Sequence, residues 1–254
     1  MDISNYLIGL ILAFSRVASF LFMVPFLRNH GIPPIVKITI SVAISMVAVE
    51  KMGKIPIETM PDMVMMIVAQ MLIGFTLAFV VEMIFTAATI AGGILDIDLG
   101  FSAAQVMDPM TNHPVTVMSN FFSVLFTVVF ISVGGVNFLI AGIVHSFTFT
   151  TPFFFMGHLP FQEMLLSYFN YMLVASIQIA LPLMATMFIV NFILLILGKS
   201  APQMNIFQTM FAIKIVVGIF FLYVTLPFLG EVFMELNDAL MDKYLEIMKY
   251  MFRS

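Results

Sequence analysis

Six long apolar stretches set the pattern of this chain, at Ile3–Met23, Ile35–Val49, Met63–Leu95, Val115–Phe149, Met164–Leu197 and Ile206–Leu229. Runs of that length with so few charges predict membrane-associated helices. Polar connections fall between them at Arg28–Pro34, Glu50–Asp62, Asp96–Pro114, Thr150–Glu163 and Lys199–Asn205. The third, fourth and fifth stretches are too long for one crossing: at about 1.5 Å per residue each would run roughly 50 Å, against about 30 Å of hydrocarbon. Either they break into hairpins, with Gly92–Gly93, Gly134–Gly135 and Pro182 as break points, or they pass beyond the bilayer inside a protein assembly.

Two segments depart from plain apolar helix. The Asp96–Pro114 connection holds Asp96, Asp98 and Gly100, then Asp108–Pro109 and Asn112–His113–Pro114, so it cannot be helical throughout. From Glu231 to Arg253 a closing helix is predicted, with Phe233, Leu236, Leu240, Tyr244, Ile247, Met248 and Met251 recurring at three- and four-residue spacing. Glu231, Glu235, Asp238, Asp242 and Glu246 lie elsewhere around it, and Lys249 and Arg253 sit at its end, matching the helix dipole. Such a helix serves either as an interfacial anchor or as a docking helix. Its acidic face argues against anionic lipid and for a protein partner, with Leu240 and Tyr244 central to the contact.

Charge sharpens this picture. No Lys or Arg occurs from Ile55 through Gly198, and all ten basic residues lie outside that interval. A soluble domain needs mixed surface charges, whereas a segment among lipid or apolar subunits does not. The chain is 62% hydrophobic and 9% charged, with a mean hydropathy of +1.12. We expect one all-α polytopic membrane domain over residues 1–254, without a separate soluble domain. Its net charge of −4 and scattered basic residues give no footprint for nucleic acid. Cysteine is absent, which removes disulfides, thiolate metal sites and cysteine nucleophiles together. The first stretch starts behind Asp2 with no basic lead and no small-residue cleavage site before Pro25, so it is expected to be retained. Arg28 follows the first stretch and Lys51 and Lys54 the second, so a simple hairpin would put one cluster on the wrong side of the membrane. The conflict suggests helices that contact protein more than lipid.

An ionisable group in an apolar segment is costly and draws functional suspicion. Arg16, Lys37, Glu82, Asp96, Asp98 and Lys214 are the candidates. Glu82, Asp96 and Asp98 could relay protons, as in a proton-coupled secondary transporter. They could equally be structural, paired with Arg16 or Lys214 or placed at helix ends, and that reading is the one we favour. The four His, at 30, 113, 145 and 158, have no companions at ligand spacing beyond Asp108 and His113, so no metal site is expected. No Gly-x-Ser-x-Gly, Ser-x-x-Lys or His-Glu-x-x-His motif occurs, so no catalytic residues are assigned. The chain holds 24 Met. Met is soft and adapts to irregular partners, and Met107 and Met110, in a turn-rich loop, could line or plug a passage.

At the level of motifs the chain resembles a known family. Phe14-x-Arg16, Pro25, Ile32–Pro33 and Lys37 open the match, followed by Gln70-x-Leu72–Ile73–Gly74, Ala91–Gly92, Gly100 and Asp108–Pro109. The most specific part is Ala180–Leu181–Pro182, Asn191, Gly198–Lys199 and Ala201–Pro202–Gln203-x-x-Ile206–Phe207. These landmarks resemble the R subunits of the flagellar type III export gate, called FliR in flagella and SctT or SpaR in injectisomes. The chain departs from that pattern at Asp96 and Asp98, where a small residue and a Gln would be expected, and at Val136 and Asn137, where a His would be. The resemblance implies a non-enzymatic, cofactor-free pore subunit of the bacterial inner membrane, within the flagellar basal body. It implies a single R subunit joined to P and Q subunits (FliP, FliQ) in a largely protein-embedded cone, with FlhB and FlhA docking nearby and unfolded substrates passing through the centre. It further implies a plug loop from Phe101 to Pro114, with Phe101, Gln105, Met107, Asp108, Pro109, Met110, His113 and Pro114 as its residues. Arg16, Lys37, Asn191, Lys199, Pro202 and Gln203 fall on the family's pattern as structural or partner-contact positions.

Overall fold

A computed structural model of the chain describes residues 3–28, 32–52, 59–101, 106–107, 114–115, 117–148, 159–200 and 206–251. The described residues are overwhelmingly helical: α1 Ile3–Met23, α2 Pro25–Arg28, α3 Pro34–Val49, α4 Met60–Leu99, α5 Val117–Ser132, α6 Gly135–His145, α7 Leu159–Ser200 and α8 Ile206–Met251. A 3-10 turn follows α6 at Ser146–Thr148. Two short strands, β1 Val106–Met107 and β2 Pro114–Val115, pair antiparallel between α4 and α5.

Local chemistry explains the boundaries. Pro34 occupies the first turn of α3, where its fixed φ suits the helix and its missing N–H costs nothing. Thr59 and Asp62 form a reciprocal cap at the start of α4: Thr59 Oγ1 and N–H donate to Asp62 Oδ2 at 2.6 and 3.2 Å. That helix stops at Leu99 because Gly100 adopts φ +82°, a left-handed conformation that glycine takes without strain. Gly134, at φ +83°, makes the same turn between α5 and α6.

Two other predicted breaks do not occur. Gly92 and Gly93 lie within an unbroken α4, and Pro182 lies within an unbroken α7. In apolar surroundings an irregular backbone would leave polar groups unsatisfied, so the helix persists wherever sterics allow. The residues from Ile206 to Leu229 and the predicted closing helix are likewise one helix, α8, continuous through Pro227. Thr225 Oγ1, just before that proline, donates to the carbonyls of Phe221 and Leu222. Four helical segments, Asn5–Met23, Met60–Leu99, Gln162–Lys199 and Ala212–Met251, are long and apolar enough to cross a membrane. The fold is that of an all-α polytopic membrane protein. At about 1.5 Å per residue α4, α7 and α8 each reach roughly 60–70 Å, twice the hydrocarbon thickness.

The chain forms two compact units, one of Met1–Ile84, Phe130–Phe169 and Asn237–Ser254, the other of Phe85–Val129 and Asn170–Leu236. In the first, α1 packs along α3, and Lys37, Ser41, Ser45 and Ala48 give α3 its buried side. Tyr244 stands edge-on to Phe20 at 6.3 Å and to Phe138 at 5.8 Å between ring centroids. Gly142 faces that tyrosine ring, which a larger residue would displace. In the second, Phe85, Phe126, Phe233 and Phe122 make a chain of edge-to-face contacts at 4.7, 5.5 and 5.9 Å in that order. Much apolar surface stays outside these cores, including Phe188, Ile189, Phe192 and Leu195 on α7 and Val216, Phe220 and Tyr223 on α8.

Candidate functional site

Two clusters of buried, hydrogen-bonded polar groups join different helices, one within each unit. In the second unit, α5 starts against the side of α4. Its first turn brings backbone N–H groups that have no partner within their own helix. Asp96, fully buried, answers two of them: its Oδ1 accepts from Met118 N–H at 2.9 Å and its Oδ2 from Ser119 N–H at 3.0 Å. Ser119 Oγ then donates to the Thr89 carbonyl at 3.1 Å. Such close approach needs glycine on α4, since a Cβ on Gly92 would lie 2.6 Å from the Met118 carbonyl carbon and from Ser119 Cα. Gly92 therefore serves helix packing, which is why it does not interrupt α4.

The predicted plug loop leaves from this neck. Phe101 is half-buried beside Gly100. Met107 pairs with Pro114 and Val106 with Val115 in the antiparallel ladder, which brings the two legs of the loop together. Gln105, Asp108, Pro109, Met110 and His113 lie outside the described residues.

In the first unit the centre is Arg16, on the buried side of α1. Its Nε donates to Gln70 Oε1 of α4 at 2.7 Å, and one terminal nitrogen donates to the Ser146 carbonyl and hydroxyl at 2.7 and 2.9 Å. Its guanidinium also stacks over Phe147, 4.1 Å from the ring centroid. One side chain thus fastens α1, α4 and the 3-10 turn after α6. Close contact between α1 and α4 depends on Gly74, where a Cβ would run into the Arg16 carbonyl and Ser19 Oγ. Gln70 and Ser146 were not among the residues singled out for chemistry, although a lone Gln in an apolar run was a readable signal; Ser146 offered none.

The other candidates are placed one by one. Glu82 pairs with Arg28 at 3.0 Å, rather than with Arg16 or Lys214. Lys37 is buried, its ammonium 5.6 Å from the Phe22 ring. Asp98, two residues from Asp96, is only partly buried and interacts electrostatically with Lys214. Asn191 is half-buried on α7, and Lys199 is exposed in its last turn, where a cation suits the dipole. Pro202 and Gln203 lie outside the described residues. Leu240 and Tyr244 are completely buried, as are Phe233 and Ile247. This corrects the docking reading of the closing helix, because its apolar stripe is covered by the chain itself. Tyr168 stitches that helix in place, its hydroxyl reaching Glu246 Oε2 at 2.9 Å and the Lys243 carbonyl at 3.2 Å. Among the described residues no group of His, Asp and Glu is arranged to hold a metal ion.

Comparison with known proteins gives a consistent picture. Residues 7–240 match the sequence profile of the family described as bacterial export proteins, family 1. The chain is 28% identical over 225 residues to the flagellar biosynthetic protein FliR of Aquifex aeolicus, covering 88% of this chain and 87% of the relative. With FliR of Bacillus subtilis the identity is 26% over 218 residues, 84% of either chain. With the surface presentation of antigens protein SpaR of Shigella flexneri it is 25% over 233 residues, covering 88% of this chain and 90% of the relative.

Proposed function

Because the chain belongs to the bacterial export proteins of family 1, we propose that it is the R-type subunit of a flagellar type III export gate in the bacterial inner membrane. In this reading it is a non-enzymatic structural subunit. It joins P- and Q-type subunits, with FlhB- and FlhA-type components docking nearby, around a channel for unfolded export substrates. The observation that carries the proposal is a family match running through nearly the whole chain. The exposed apolar surface on α7 and α8 supports it, since helices twice as long as the hydrocarbon is thick need protein neighbours over their excess length. The fixed partners of Asp96 and Glu82 favour a structural role for these carboxylates over proton relay in a transporter.

The test is co-purification. Expressed alone, the chain is expected to aggregate or be degraded; expressed with P- and Q-type partners, it is expected in a stable complex. A monodisperse, stable monomer in mild detergent would overturn the proposal. In the same reading the loop from Phe101 to Pro114 closes the resting channel. Removing Val106 to Thr111 is then expected to let small ions leak across the membrane while the complex still assembles, and a tight membrane would refute the plug.

A further inference from the structure

We propose that the first unit carries a phospholipid site, with the lipid's phosphate on Arg28 and one acyl chain in an apolar groove between α1, α4 and α7. The groove has a volume of about 440 Å³ and is lined by Met23, Phe75, Thr76, Phe79 and Leu165. That is the size of a small-ligand site. A partner helix about 10 Å across would fill it with little more than a single turn, whereas an extended hydrocarbon chain fits along it. Thr76 carries the one polar side chain of that lining, and its Oγ1 already donates to the Leu72 carbonyl at 2.8 Å within the same helix. The groove therefore asks its occupant for hydrocarbon and for no hydrogen bond.

Two contacts set its depth. Arg16 meets Gln70 and Arg28 meets Glu82, at 2.7 and 3.0 Å, and both pairs join residues 54 apart, so α1 and α2 run alongside α4 in the same direction and in register. The apolar span of α1, Asn5–Met23, is 19 residues long. At about 28 Å it matches the hydrocarbon thickness without excess. Met23 thus lies at a hydrocarbon boundary, and Arg28 stands beyond it at the level of the headgroups. On α4, Glu82, Phe79, Phe75, Leu72, Val68 and Val64 follow one another at three- and four-residue spacing on one face, and the five apolar ones are exposed. An apolar track descends from the ion pair through the groove into the span.

The group at the head of this track is a cation. The Arg28 side chain is 61% exposed and that of Glu82 only 20%, so the guanidinium is what faces outward. One of its nitrogens meets Glu82, and among the described residues the others have no partner. A guanidinium with spare donors in a fixed fork holds two oxygens of a phosphate at once.

The experiment uses the full chain, purified from membranes with whatever subunits accompany it. It is placed in phosphatidylethanolamine vesicles with rising mole fractions of phosphatidylglycerol that carries a photoactivatable group on its acyl chain, and cross-links are mapped by mass spectrometry. Labelling of the peptides that hold Met23 and Phe75–Phe79 is expected to saturate at low mole fraction. Labelling around Val47, on the exposed apolar surface of α3, should rise in proportion to the probe. Arg28→Gln is expected to move half-saturation of the groove to a mole fraction about tenfold higher or more. Glu82→Gln keeps the cation and frees it from its pair, so half-saturation should be no higher than in the wild type. Leu165→Trp fills the groove and should lower the labelling reached at saturation. Wild-type labelling of the groove that never saturates, rising in step with that around Val47, would overturn the site without recourse to any variant. Cross-links from the groove to another subunit in place of lipid would do the same. Equal weakening by Arg28→Gln and Glu82→Gln would refute the phosphate contact, since the ion pair would then serve only to hold α2 against α4.

Discussion

Replacing Arg16 by Lys keeps the charge and removes the fork, which makes it a sharp test of how the first unit is held together. The guanidinium reaches Gln70 Oε1 from one nitrogen and the Ser146 carbonyl and hydroxyl from another, while its plane rests on Phe147. A lysine ammonium is a single point and cannot span both partners or stack in the same way. Hydrogen bonds to charged groups contribute about 1.5–3 kcal/mol each, and a stacked cation about 0.5–2 kcal/mol. Losing one arm of the fork together with the stack gives about 2–5 kcal/mol. Arg16→Met removes both arms and withdraws three donors from buried acceptors, for about 3–5 kcal/mol. For a chain of this size these losses correspond to thermal midpoints lowered by roughly 5–15 °C. The assay is thermal unfolding of the purified assembly, followed by circular dichroism. A double-mutant cycle of Arg16→Met with Gln70→Met isolates the pair, and a coupling of at least about 1 kcal/mol is expected. If Arg16→Lys melts within about 2 °C of the wild type and the two changes add without coupling, the claim that Arg16 fastens these elements is wrong.

Further outcomes follow from the packing. Gly74→Ala drives a Cβ into the Arg16 carbonyl, a backbone atom that cannot turn aside, so a loss of about 1–3 kcal/mol is expected in the same melt. Gly142→Ala meets only the Tyr244 ring, which can shift, and is expected to cost less than Gly74→Ala. The Tyr244 hydroxyl is buried without a hydrogen-bond partner among the described residues, so Tyr244→Phe is expected to be neutral or slightly stabilising, whereas Tyr244→Ala should cost about 3–5 kcal/mol. Asn237 is fully buried with both amide atoms unsatisfied among the described residues. Asn237→Leu is therefore expected to raise the midpoint, and a lowered midpoint would show that the amide has a partner in the assembly.

The apolar stretches were legible because burial in an apolar medium is written directly into residue type: α1 covers the predicted Ile3–Met23, and α3 adds one residue to Ile35–Val49. Breaks were legible only in part. Gly134–Gly135 does interrupt the fourth stretch, while Gly92–Gly93 and Pro182 interrupt nothing. A glycine pair reports either a turn or a close approach of two backbones, and the letters alone do not distinguish the two. At Gly92 the second cause operates, and it becomes visible only once α5 is laid against α4. The same holds for Asp96. Its position near a helix end could be read from the chain, but the helix it serves begins at Val117, and no spacing rule connects a carboxylate to amides more than twenty residues away.

The closing helix shows most plainly what a periodic pattern specifies and what it omits. Its stripe from Phe233 to Met251 states that something apolar must cover that face. It says nothing of whether the cover is lipid, another subunit or the chain itself. The acidic opposite face argues against lipid, and that step weighed two external occupants while leaving the internal one aside. In the folded chain Leu240, Tyr244 and Ile247 are completely buried, and Glu246 of the same helix is held by Tyr168. With the stripe occupied, Glu231, Glu235, Asp238, Asp242 and Glu246 are left outward on α8 as its exposed face. Any partner of this helix would then meet carboxylates rather than an apolar ridge. Replacing Leu240 by Glu should consequently destabilise the chain itself before it disturbs a contact with a neighbour, by the few kcal/mol that burial of an unpaired charge costs. Loss of the variant from the membrane, ahead of any selective loss of one partner from the complex, is the result expected. A normally abundant Leu240→Glu chain that sheds a single partner would return the stripe to an intermolecular role.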